Sequence, residues 1–241
     1  MQQAEPETTQ GTVAAILVAT APGGSQQTLD LLWRPVLGRP LVAWPFEAVA
    51  RLDTLTTLYL TTPSARREAG VSMMSNIVGP LHRQAVPVDD ISWSYALEAF
   101  VGSAHVQEDW IILVDAALPL VTTASLRAGL QAASQTGVAI AGEPVKETLK
   151  RVDGQRVAET LPRERLRRLI SPLTFSHDAL IGIYKTLRDH PSTSADLVDV
   201  AQMAGVPLTV FDVDYPCVRI TTEHDLAIVE SLLRQRESER S

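Results

Sequence analysis

Residues Trp110–Val121 read W-I-I-L-V-D-A-A-L-P-L-V. Ile111, Ile112, Leu113 and Val114 form an unbroken apolar run, the pattern of a central parallel strand covered on both faces. Asp115 follows at the carboxyl end of that strand, and Pro119 forbids simple continuation of the ladder. In open α/β sheets, ligands collect outside the carboxyl ends of the strands. Asp115 therefore reads in one of two ways. It is a carboxylate for a metal or a sugar hydroxyl, or it is a loop aspartate that turns the chain or caps a helix.

Upstream, Thr12–Val18 (T-V-A-A-I-L-V) reads as the first central strand, and Ala19–Asp30 as a small, polar, glycine-bearing loop. Leu41–Leu52 has helical apolar spacing, with Pro45 near its start, where proline is tolerated. Thr54–Leu60 alternates as a second strand. Ser64–Gly70 reads as a short helix capped by Ser64, and Tyr95–Phe100 belongs to another helix. Downstream, Thr122–Ser134 is helical with Thr122 or Thr123 as cap, and Val138–Ala141 is a short strand. Val145–Val152 and Arg156–Leu161 flank Asp153-Gly154, a hairpin signal. That hairpin is too charged to bury within one domain, so it reads as an arm. Arg163–Leu169 is a very basic helical turn or loop. His177–Arg188 and Asp196–Ala204 are helices, the second stopped by Gly205. Leu208–Val213 and Val218–Ile220 read as strands, and His224–Arg236 as a final helix capped by Thr221 or Thr222. Alternating strands and helices predict an α/β fold with a mostly parallel sheet. Residues 12–241 form one domain, 1–11 a flexible tail, and about 144–162 the arm.

The 241 residues suffice for a sizeable core, and 45% of them are hydrophobic. A net charge of -7 argues against broad electrostatic binding to nucleic acid, so any phosphate site must be local. Cys217 is the only cysteine, which excludes an intrachain disulfide. No signal-peptide pattern precedes the first strand, and Val13–Ala19 is too short to span a bilayer. The expected compartment is the cytoplasm, with no membrane partner. Neither a P-loop nor a G-x-G-x-x-G fingerprint is present, and the five histidines show no metal-ligand spacing with the lone cysteine. Gly23 and Gly24 sit where backbone N–H groups could cradle a phosphate, or where a plain surface loop turns.

Several stretches, taken in order, resemble one family. They are the glycine-bearing loop, L-L-W-R-P-V-L-G-R-P-L-V-A-W at Leu31–Trp44, V-D-A-A-L-P-L-V at Val114–Val121, P-V-K-E-T-L-K-R-V at Pro144–Val152 and V-R-I-T-T-E-H-D-L-A-I-V-E at Val218–Glu230. Together, from Thr12 to Leu233, they resemble the 2-C-methyl-D-erythritol 4-phosphate cytidylyltransferases of isoprenoid synthesis. The resemblance implies a Rossmann-like nucleotidyltransferase (nucleotide-diphospho-sugar transferase) fold. It implies a homodimer built by exchanging the β-hairpin arm. It implies CTP, Mg²⁺ and a polyol phosphate, methylerythritol phosphate, whose phosphate attacks the α-phosphate of CTP. It assigns Ala19, Thr20, Gly23, Gly24, Ser92 and Asp115 to the nucleotide, with Asp115 also at the metal. It assigns Thr148, Arg163, Ser171 and Asp196 to the polyol phosphate, and catalysis to Arg219 and Asp115. Thr148 and Thr160 also read as ordinary strand threonines, and Arg163 as a solvated charge beside Arg165, Arg167 and Arg168.

The implied attacking group is an ionised phosphate, so no general base is needed. Catalysis is positioning plus cationic stabilisation of the transferring phosphorus. Here the sequence departs from the family pattern. Ser25 stands at a loop Arg, Leu31 at a Lys and Leu118 at the Arg of D-A-A-R-P, while Arg219 replaces the last Lys and keeps its charge. Ile91-Ser92 stands where the pattern has Asp-Ser, and Glu147 and Ala195 replace an Asp and a Thr. Arg34 and Arg39 are near in sequence, but neither is in register. One such cation is typically worth a few kcal/mol, roughly a hundredfold or more in rate. The expectation is a member with impaired or lost cytidylyl transfer. The alternative is a non-catalytic paralogue that acts as a ligand-binding or partner module.

Overall fold

In the computed structural model, residues 11–20, 25–75, 81–88, 97–98, 100–101, 106–190 and 197–239 are described. The expectations for the first ten residues, Gly23, Gly24, Ser92 and Asp196 lie outside these residues.

The strands are β1 (Val13–Val18), β2 (Pro35–Val36), β3 (Arg39–Pro40), β4 (Leu55–Thr62), β5 (His82–Pro87), β6 (Trp110–Asp115), β7 (Val138–Pro144), β8 (Lys150–Asp153), β9 (Arg156–Thr160), β10 (Arg167–Ser176) and β11 (Leu208–Phe211). Seven of them form one sheet in the order β11-β7-β10-β6-β1-β4-β5. All its neighbours pair parallel except β10, which runs antiparallel to both β6 and β7. The sheet is thus mostly parallel, as the alternation of elements predicts.

Burial explains the apolar run that opened the reading. Ile112 and Val114 of β6 join the cluster on one face of the sheet, and Ile111 and Leu113 join the other. β1 does the same, with Ala15 and Leu17 on one side and Ala14, Ile16 and Val18 on the other. A strand with period-two geometry and both faces covered has no polar side to show. The helices Gln26–Leu32, Ala43–Ala50, Thr123–Thr136, His177–Asp189, Leu197–Met203 and Glu223–Ser238 flank the sheet. Thr122 caps the Thr123–Thr136 helix by accepting the Ser125 N–H, and Gly137 ends it at φ 85°. Thr222 caps the last helix in a reciprocal capping box with Asp225.

Four readings are corrected and one unread strand is added. Gln26–Asp30 is not loop: it begins a helix whose N-cap is Ser25, with Thr28 closing a capping box. Ser64 is not a cap but lies inside a 3-10 turn after Pro63, leading to a helix over Arg67–Ser75. β5, with only two buried residues, is a strand that the apolar pattern does not show. Val218–Ile220 makes no ladder; its N–H groups donate from Val218 to the Pro216 carbonyl at 2.9 Å and from Ile220 to the Ala117 carbonyl at 2.8 Å. The largest correction is β10: Arg167–Leu169, read as turn or loop, opens a ten-residue strand. Pro172 argues against a strand, yet it sits where the β10–β7 register shifts between Ile170 and Leu173, the irregularity at which a sheet tolerates proline.

β8 and β9 form a separate two-stranded ribbon turned at Asp153-Gly154, with Gly154 at φ 59°. Every residue of both strands is exposed. The hairpin is an arm in the sense the sequence suggests.

Candidate functional site

The irregularity in β10 places Ser171 beside the end of β6. The Asp115 N–H donates to Ser171 Oγ at 2.8 Å, and that hydroxyl donates to the Leu113 carbonyl at 3.2 Å. One side chain thus serves two backbone groups of β6. Tyr215 fixes Ser171 from the other side, its hydroxyl donating to the Ser171 carbonyl at 2.9 Å. Burial drives the Tyr215 phenol far above its ordinary range, so it stays a donor at any physiological pH.

Asp115 is 3% exposed. Its Oδ1 accepts the Ala117 N–H at 2.9 Å, and its Oδ2 accepts Arg219 Nε at 2.8 Å. Burial raises its carboxyl above the usual range, and the Arg219 guanidinium and the Ala117 N–H pull the other way. Arg219 reaches Asp115 because the segment Asp214–Ile220 is pinned to β10 and to the turn after β6. Tyr215 anchors it to Ser171, Ile220 to Ala117, and Arg168 donates to the Cys217 carbonyl at 3.0 Å. Arg168 also pairs with Glu143 through Nε at 2.6 Å. Burial, reinforced by Glu143, pushes the Cys217 thiol up to about 12, which keeps it protonated.

Asp115, Ser171 and Arg219 line one pocket of about 200 Å³, together with Arg168, Leu118 and a wall of aliphatic side chains. Of the expected site residues, the structure brings these three together. Ala19 and Thr20 are buried at the end of β1, and the Thr20 hydroxyl has no partner among the described residues. They do not line the pocket. Thr148 and Arg163 are exposed at the base of the arm, where Arg163 donates to the Lys146 carbonyl at 3.0 Å. Arg168 belongs to the basic stretch of the sequence, which reads as an anion site at a dimer interface or as a solvated arm. Nothing near Tyr215 marks it.

The neutral positions are neutral for structural reasons. Leu31 is 1% exposed and packs in the main hydrophobic cluster, so its side chain belongs to the core. Leu118 is 3% exposed and forms part of the pocket wall. Ser25 is committed to its cap. Arg34 pairs with Glu223, and Arg39 pairs with Glu47 while stacking 3.5 Å over the Trp44 ring. Both are engaged outside the Asp115 pocket.

The residues present do not fit Mg²⁺. Among the described residues Asp115 is the one carboxylate of the pocket lining, and both of its oxygens already accept protein donors, one of them a guanidinium. Among the described residues no group of three or more His, Cys, Asp or Glu is placed to hold a metal. The cation that answers Asp115 is Arg219.

The sequence model of the 2-C-methyl-D-erythritol 4-phosphate cytidylyltransferase family matches residues 13–235. The chain belongs to this family. A cytidylyltransferase of this name from Cereibacter sphaeroides is 31% identical over 229 residues, covering 92% of this chain and 97% of its own. One from Shouchella clausii is 24% identical over 233 residues, covering 94% and 98%. The solved 4-diphosphocytidyl-2C-methyl-D-erythritol synthase from Anaerococcus prevotii superposes with a TM-score of 0.78 at 16% identity, covering 92% of this chain and 98% of that one. The Rossmann-like nucleotidyltransferase fold follows, and in this cytidylyltransferase family member β6 ends at the Asp115–Arg219 pair. No helix among the described residues is long and apolar enough to cross a membrane.

Proposed function

We propose that this member of the family keeps the fold and a ligand pocket but has impaired or lost cytidylyl transfer, and acts as a binding protein. CMP transfer from CTP to a polyol phosphate needs cations around the transferring phosphorus. The observation that carries the reading is the Asp115–Arg219 ion pair. Arg219, which keeps the charge of the pattern's last Lys, is spent on the protein's own carboxylate. Leu118 in the pocket wall and Leu31 in the core supply hydrocarbon where the resemblance expects charge. Ser171 and Tyr215 hold Asp115 in place, and Asp115 holds Arg219; neither step involves proton transfer.

The same reading makes the chain a homodimer through its exposed arm. Val152 and Val157 face each other across the ribbon at 58% and 64% exposure, an apolar pair that asks for a cover. A single cysteine, which allows no intrachain disulfide, suits the cytoplasm. Calorimetry with CTP and Mg²⁺, beside a pyrophosphate-release assay with methylerythritol phosphate, tests the functional claim. Weak or absent CTP binding without release supports it, and release at an ordinary enzymatic rate overturns it.

A further inference from the structure

We propose that a second pocket, at the start of the Thr123–Thr136 helix, binds a single phosphoryl group. The site shares no lining residue with the Asp115 pocket. It stands whether or not the chain transfers a cytidylyl group.

The pocket holds about 350 Å³ and is walled by the Ala43–Ala50 helix, the first turn of the Thr123–Thr136 helix and Arg236 of the last helix. The Thr123 hydroxyl donates to the Ala48 carbonyl at 2.7 Å, which ties the first two walls together. Three kinds of donor meet there. Thr122 takes the Ser125 N–H, while the Thr123 and Ala124 N–H groups make no hydrogen bond among the described residues. A helix of 14 residues turns such groups, and the positive end of its dipole, towards an anion. Trp44 supplies the second donor, independently of the helix. It lines the pocket at 7% exposure, and its indole N–H has no acceptor among the described residues. A buried donor in that state is costly, and an acceptor on a ligand removes the cost.

Arg51 supplies the third. Its guanidinium stands 3.7 Å from Glu47, too far for a hydrogen bond, with 58% of its side chain exposed. That loose contact leaves it able to turn to an anion. A phosphoryl group offers three acceptor oxygens, enough for the helix N–H groups, the indole and the guanidinium together. A carboxylate offers two. The wall also holds carboxylates of its own. Glu47 answers Arg39 and Arg51, and Asp214 accepts the Thr122 hydroxyl at 2.6 Å. A chain of phosphates would lie against them, so the site suits one phosphoryl group.

The test is an NMR titration of the full chain, following assigned backbone amides and indole N–H groups. One arm uses inorganic phosphate and the other glycerol 3-phosphate, each against sodium chloride at matched ionic strength. The Trp44 indole and the Thr123 and Ala124 amides should move together and saturably in at least one arm, and the tighter arm separates free from esterified phosphate. The Trp33 indole, also buried without an acceptor but outside this pocket, should not follow. Arg51→Gln, at an exposed position, should stay folded and weaken the affinity about tenfold, the worth of one charge-assisted hydrogen bond. No saturable movement at Trp44, an equal response from Trp33 or from sodium chloride, or an unaltered affinity in Arg51→Gln overturns the proposal. Turnover of CTP would sink the functional reading and leave this titration to be judged on its own.

Discussion

Arg219 Nε lies 2.8 Å from Asp115 Oδ2, joining residues 104 positions apart at the carboxyl end of β6. The carboxylate is almost fully buried, while a quarter of the guanidinium side chain remains exposed. Taking away one partner of such a pair leaves an uncompensated buried charge.

Arg219→Ala should therefore cost about 3 kcal/mol at neutral pH in urea unfolding, the low end for a buried pair because Arg219 is partly exposed. The loss should be pH-dependent. Burial raises the Asp115 carboxyl in the folded state, and removing Arg219 removes the main opposing influence. A group whose folded pKa is raised favours folding below its unfolded value of about 3.9 and loses that contribution as pH rises through the folded value. The gap between variant and parent should narrow as pH falls from neutrality towards about 4. A gap constant with pH would show that Asp115 is not the group left stranded.

Restoring cations should succeed at one position only. Leu118 lines the pocket, so Leu118→Arg should raise the affinity for inorganic phosphate about tenfold in calorimetry, the worth of one charge-assisted hydrogen bond. Leu31 is packed in the core, and Leu31→Lys should instead destabilise the fold by about 3 kcal/mol or more. Ser25→Arg should lose an N-cap, at about 1 kcal/mol. A stable Leu31→Lys variant with improved phosphate binding would contradict this placement.

Much of this was legible from residues, and the rest hid for definite reasons. W-I-I-L-V-D announced β6 because both faces of that strand are covered. Asp153-Gly154 announced the arm because its turn needs a residue at positive φ. β10 hid behind Arg167, Arg168 and Pro172, whose irregular register no periodicity reveals. The Ser25 cap hid because its partner at the third helical position is Thr28 rather than the usual Glu or Gln. Asp115 and Arg219 could be nominated separately from family resemblance. Their pairing could not, because it depends on how the Asp214–Ile220 segment is pinned by Ser171, Ala117 and Arg168.

The arm carries its own prediction. Removing Lys150–Ala158 deletes the exposed valine pair along with most of the ribbon. Light scattering at micromolar concentration should show a dimer for the intact chain and a monomer or aggregate for the deletion. An intact chain that runs as a clean monomer would contradict arm exchange.

The last helix carries another. Asp225 Oδ2 accepts four hydrogen bonds from the Thr221 and Thr222 N–H and hydroxyl groups. The Thr221 hydroxyl foremost, with these N–H groups, holds the Asp225 carboxyl down at about 2. A depressed carboxylate stabilises the fold above its unfolded pKa of about 3.9 and stops doing so as pH falls through the folded value. Asp225→Asn should thus be less stable than the parent at neutral pH, with the two converging as pH falls towards about 2. Parallel acid-unfolding curves would contradict the assignment.

The most direct measurement is single-turnover pyrophosphate release, with the protein in excess over CTP and with saturating methylerythritol phosphate and Mg²⁺. With Arg219 held by Asp115 and Leu118 in the wall, release should fall at least about a hundredfold below an active family member assayed alongside, the effect of one missing cation. Release at the active member's rate would contradict the account, because the Asp115–Arg219 pair could not then be the resting end of the site's chemistry.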